Sequence, residues 1–109
     1  MLHSIDAQSF ESEVLSAAVP VLLDVSTRWC GPCRALVPVL RELEADRAGK
    51  LKIVSLDAED HPELAARLGV KAFPTLIAFQ NGKERARRVG LTTLKRLTEM
   101  FDSSAGETD

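Results

Sequence analysis

The only two cysteines of the chain are separated by two residues, in Trp29-Cys30-Gly31-Pro32-Cys33, and fall where an apolar run gives way to an amphipathic one. This placement constrains the fold more than any other feature. Upstream, Val21-Leu22-Leu23-Asp24-Val25 is apolar except for one carboxylate, the pattern of a buried strand. Downstream, Leu36, Val39, Leu40 and Leu43 recur at helical spacing, while Arg41, Glu42, Glu44 and Asp46 fall mostly on the other side. A strand must therefore feed a helix whose first turn holds both thiols. Neighbours on such a turn have Cα atoms about 5–6 Å apart, within the range a disulfide requires.

The other segments supply the layers around this junction. Residues 2–5 read as a short strand, and Asp6 as the N-cap of a helix that places Phe10, Val14 and Ala17 on one side and ends before Pro20. Pro38 is expected to kink the helix after the cysteines, and Gly49 to end it. Residues 51–56 read as the next strand, followed by a short helix that His61-Pro62 opens and Gly69 terminates. Residues 75–79 and 83–89 form a hairpin about Asn81-Gly82, and a last helix turns Leu94, Leu97 and Phe101 inward. This order implies an α/β fold with a central mixed β-sheet flanked by helices on both faces. A chain of 109 residues suits one domain, expected over residues 1–101, with the small, polar residues 102–109 as a frayed tail.

Several function classes fall away. A formal charge of -2 gives no broad attraction to nucleic acid or to an anionic membrane. The one basic cluster, Lys83 to Arg88, has no interleaved aromatics and reads as a charge-protected edge strand. Residues 1–6 carry no basic leader, and the apolar run 17–25 is short and interrupted by Pro20, so neither a signal peptide nor a membrane span is expected. Two cysteines this close cannot staple distant parts of a secreted fold, which leaves redox or metal chemistry. A zinc site would need a second pair of ligands, and His3 and His61 have no paired spacing, so no metal is expected. His61 reads as a helix cap or surface residue.

Position separates the two thiols. Cys30 leads the helix, where unsatisfied N–H groups and the positive end of the dipole favour a thiolate, and it is expected to be the nucleophile. Cys33 lies further inside the turn and suits the later attack on a mixed disulfide. Pro32 fits the first turn, and Arg28 and Arg34 add nearby positive charge. Asp24 is either a buried acid or a solvated strand-end residue, and Trp29 either a core aromatic or part of a docking rim.

Together these residues resemble the thioredoxin family over about residues 1–101, the family that is itself the standard example of this motif. Trp29-Cys30-Gly31-Pro32-Cys33 is similar to its active-site sequence; disulfide isomerases carry a histidine between the cysteines and glutaredoxins Pro-Tyr. The resemblance implies a thioredoxin-like fold and a protein-disulfide reductase acting through Cys30 and Cys33. It implies a proton-handling role for Asp24, beneath the cysteines, in the Cys33 step. Phe73-Pro74-Thr75 matches the segment whose cis proline faces the disulfide. Val89-Gly90 matches a loop that completes a substrate-docking surface with Trp29, Gly31, Pro32, Phe73 and Pro74. Pro38 matches a helix-kinking proline and Gly82 a hairpin glycine. The resemblance further implies no bound cofactor, electrons from NADPH through thioredoxin reductase, disulfide-containing protein substrates, a cytoplasmic location and a monomer. Two positions depart from the pattern: Ser26 stands where a second tryptophan is usual, and Ser55 where a buried lysine often faces the carboxylate. A different class, a binding module that uses the surface around Trp29, Phe73 and Val89 with incidental redox activity, would be distinguished by a double cysteine-to-serine variant that kept full biological activity.

Overall fold

The apolar runs pair as strands of one mixed sheet in a computed structural model that describes residues 2–106. Strands β1 (His3–Ile5), β3 (Lys52–Asp57) and β2 (Val21–Ser26) are parallel. Strand β4 (Thr75–Gln80) runs antiparallel to β2, and β5 (Lys83–Val89) antiparallel to β4. The spatial order is β1-β3-β2-β4-β5, which puts β2, the strand that leads to the cysteines, at the centre.

Period-two alternation along the central strands divides the core between two faces. Val21, Leu23 and Val25 of β2 pack with Val54, Leu56, Ile77 and Phe79 under α2 (Pro62–Arg67) and a helical turn at Glu11–Leu15. Leu22 of β2, Ile53 of β3 and Leu76 of β4 lie on the opposite face under α1 (Gly31–Asp46) and α3 (Leu94–Gly106). Helix α1 contributes Leu36, Leu40 and Leu43, each no more than 1% exposed. Fully burying each stabilises the fold by about 1.5–3 kcal/mol, so the helix that carries the thiols is firmly seated. Asp24 and Ser55 share the strand phase of Leu22 and Ile53, and they therefore lie on the α1 face.

The hairpin is built as its sequence requires. Asn81 and Gly82 both have positive φ, 55° and 78°, matching the right-handed twist of the flanking strands. A Cβ on Gly82 would also meet the Leu15 carbonyl oxygen at 3.1 Å. The pairing shifts between Ala78 and Phe79, a bulge that leaves Arg85 without a partner in the ladder. The charged strand β5 is one edge of the sheet and β1 the other.

Two segments differ from the sequence pattern. The helix expected after Asp6 contracts to a single π-helical turn, Glu11–Leu15, closed by the Ser16 N–H donating to the Glu11 carbonyl at 2.9 Å. Asp6 does cap, but it caps the preceding turn: its carboxylate accepts from the Ser9 N–H at 2.8 Å and the Ser9 hydroxyl accepts from the Asp6 N–H at 3.1 Å. This reciprocal pair fixes the chain entry, and burial of Phe10 and Val14 then sets the winding. At the other end, α3 continues through Gly106, past Asp102, where a frayed tail was expected to begin. Asp102 accepts from the Arg47 guanidinium at 2.8 Å, which ties this part of α3 to the end of α1. Residues 107–109 of the expected tail lie outside the described residues.

Candidate active site

Strand β2 ends at Ser26, and the chain crosses the loop Thr27–Trp29 to reach Cys30, the extended N-cap of α1 (φ -89°, ψ 112°). Pro32 occupies the first turn, where its missing N–H costs nothing. Cys30 and Cys33 form a disulfide with a Cα–Cα distance of 5.2 Å, in the range expected from the helical spacing.

The sulfurs are not equivalent. Cys33 is 4% exposed, whereas Cys30 is half-buried at the helix start. The Cys33 backbone N–H donates to Cys30 Sγ at 3.1 Å. One of the free N–H groups of the helix N-terminus is thus aimed at the outer sulfur, an arrangement that stabilises negative charge there once the disulfide opens. Arg28 contributes less positive charge than expected. Its guanidinium is engaged by Asp60 at 3.2 Å and Asp57 at 3.5 Å, which offsets its charge within the loop.

Two segments distant in sequence are brought to the disulfide. The Phe73 carbonyl oxygen lies 3.7 Å from Cys30 Sγ, and the Phe73–Pro74 peptide bond is cis. Val89 pairs with Thr75, and the Gly90 N–H donates to the Pro74 carbonyl at 2.8 Å, which fastens the 89–91 loop to the 73–75 segment. Gly90 has φ +93°, a conformation that favours glycine. Trp29, Phe73 and Val89 are exposed although large and apolar, together with Leu91 at 58%. Leu91 was missed in the sequence: a single leucine between Gly90 and Thr92 carries no periodicity, and only its failure to join a helical or strand pattern marked it. Gly31 and Pro32 are exposed, and a Cβ on Gly31 would meet nothing within 4 Å, so the surface above the disulfide is unobstructed.

Asp24 lies beneath the helix start and is 2% exposed, with Oδ1 buried and without a hydrogen-bond partner. Burial pushes its carboxyl from 3.8 up to about 7. Across the sheet it faces Ser55 on β3 and Leu76 on β4, neither of which supplies a counter-charge. A cavity of about 190 Å³ touches both Asp24 and Cys33 and is also lined by Ser4, Ser26, Ser55 and Arg34. Asp24 thus resolves as a buried acid rather than a solvated strand end. A carboxyl near 7 can exist in either protonation state at neutral pH, which suits it to accept and return a proton.

Among the described residues, no group of three or more His, Cys, Asp or Glu side chains is placed to hold a metal ion. His3 lies instead 3.5 Å from Glu13, and His61 is the N-cap of α2 without a side-chain capping bond. None of the described helices is long and apolar enough to cross a membrane.

Comparison with known proteins agrees with this geometry. A family model described as Thioredoxin matches residues 1–103. The chain is 44% identical to a thioredoxin of Haemophilus influenzae over 102 residues, covering 94% of each chain. It is 38% identical to one of Pseudomonas aeruginosa over 96 residues, covering 88% of this chain and 89% of the relative. With one of Rickettsia bellii it shares 34% over 104 residues, 95% of this chain and 99% of the relative.

Proposed function

This chain belongs to the thioredoxin family and is a thiol-disulfide oxidoreductase with a Cys-x-x-Cys active site, and we propose that it works as a reductant of disulfides in other proteins. In the dithiol form the Cys30 thiolate attacks a substrate disulfide, one substrate sulfur leaves as a thiolate, and a mixed disulfide forms on Cys30. Asp24 takes the proton from Cys33. The Cys33 thiolate then attacks Cys30 Sγ, the bond from Cys30 to substrate breaks, and the second substrate sulfur leaves. Two electrons pass to the substrate and the protein is left with the Cys30–Cys33 disulfide. Trp29, Gly31, Pro32, Phe73, Pro74, Val89 and Gly90 form the docking surface, and Leu91 extends it.

The observation that carries this reading is the Cys33 N–H directed at Cys30 Sγ, which favours the outer cysteine as nucleophile and leaving group while the inner one stays covered. Recycling draws electrons from NADPH through a thioredoxin reductase, with no cofactor held by this chain. A reductant of this kind belongs in a reducing cytoplasm, and we take the monomer as its working unit. The test is NADPH oxidation coupled through a bacterial thioredoxin reductase to reduction of a disulfide protein. Turnover that depends on this chain supports the reductant; a chain that binds the disulfide protein without turnover would favour a binding module instead.

A further inference from the structure

We propose that Ser55 and Ser4 position a hydroxyl-lined passage from the edge of the sheet to Asp24, through which the buried carboxyl is hydrated and exchanges its proton with solvent. The register carries this inference. Ser4 on β1 is the partner of Ser55 on β3, and Ser55 is in turn the partner of Asp24 on β2, so the three side chains form one cross-strand row on the α1 face. Exposure falls along the row, from exposed Ser4 through half-buried Ser55 to Asp24 at 2%. The two hydroxyls are 3.4 Å apart, and all three residues line the cavity that also reaches Cys33. A second cleft, of about 460 Å³, shares Ser4, Ser26 and Ser55. The small side chains at 26 and 55 are what keep the space open.

The hydroxyls of Ser4, Ser26, Thr27 and Ser55 line a cavity with room for water, and a buried carboxyl whose Oδ1 has no protein donor gains most from being reached by it. The charged or titratable side chains that line the cavity with Asp24 are Cys33, Arg34 and Arg41 of α1 and Arg28 of the preceding loop. Strands β3 and β4 present only Ser55 and Leu76 across from it. Hydration through the serine row therefore stabilises the ionised form that Asp24 must adopt before it accepts the Cys33 proton. The serines touch no reacting atom and act through Asp24, so the inference rests on the role proposed for Asp24 above.

A symmetric aromatic disulfide separates the steps, because its first thiol is released when Cys30 attacks and its second when Cys33 resolves the intermediate. Release is followed against pH in a single turnover. Ser55→Val, which fills the cavity and removes the hydroxyl, should move the pH midpoint of second-thiol release upward by about one unit, a roughly tenfold loss of rate below the midpoint. First-thiol release should be unchanged. Ser55→Thr, which keeps a hydroxyl, should stay within about twofold of the parent rate, and Ser4→Ala, at the exposed edge, should move the midpoint in the same direction by less. Asp24→Asn should abolish the midpoint. If Asp24→Asn loses it while Ser55→Val and Ser4→Ala leave it in place, the passage is wrong and the role of Asp24 stands. If Asp24→Asn keeps both midpoint and rate, both fall.

Discussion

Asp24 holds a buried carboxyl whose Oδ1 has no hydrogen-bond partner among the described residues, and its effect on stability has a definite sign. The folded value of about 7 lies above the ordinary 3.8 because burial disfavours the charge. Below the ordinary value both folded and unfolded carboxyls are protonated. As pH rises, the unfolded carboxyl ionises first, so stability falls between the two values and levels off above the folded one, with a total loss of roughly 4 kcal/mol. Asp24→Asn should raise stability by about 2 kcal/mol or more at pH 8, allowing for an amide that is itself left unpaired, and by clearly less at pH 5. Urea midpoints of both proteins at the two pH values check this, and a gain that did not grow with pH would contradict a desolvated carboxyl. The residue scale was legible where chemistry is local: the spacing of Cys30 and Cys33 sufficed to place them on one turn. It was not legible for Arg28, whose partners Asp57 and Asp60 come from another segment, or for Leu91, whose exposure depends on how the 89–91 loop is fastened.

At the scale of elements, apolar runs and turn chemistry determined most of what could be read. Asn81-Gly82 announced its hairpin because both positions need positive φ, whereas the register that sets Ser55 beside Asp24 is not legible in a run as continuously apolar as β2. The segment after Asp6 was harder. Apolar residues at Phe10, Val14 and Ala17 fit a helix, and reciprocal Asp6–Ser9 bonds cap its entry, but a segment this short is wound by what it packs against. That turn also meets the hairpin, since the Leu15 carbonyl sits 3.1 Å from where a Cβ on Gly82 would stand. Gly82→Ala combines an unfavourable φ with this close approach and should destabilise by about 1–2 kcal/mol. Thermal unfolding measures the loss, and activity per folded molecule should stay unchanged; a variant as stable as the parent would show that the turn relaxes freely.

On the scale of the whole molecule, the proposed docking surface exists only because the sheet order brings the loops 27–30, 72–74 and 89–91 to one end. Nothing in their separate sequences states that they meet, which is why the rim was reached by resemblance rather than from residues. Trp29→Ala and Pro74→Ala should lower kcat/KM for a protein disulfide by about tenfold, the scale of a truncated interface anchor, and lower it much less for a small aliphatic disulfide. Equal losses on both substrates would count against a rim. The chemistry at its centre is tested most directly by the mass of Cys33→Ser after the reduced variant has met a disulfide protein. Attack by Cys30 without a resolving thiol should leave one covalent adduct per chain, mapped to Cys30 by peptide mass and released by an added thiol. Repeated turnover at the parent rate, or an intact variant with no adduct, would contradict a two-cysteine exchange through Cys30 and Cys33.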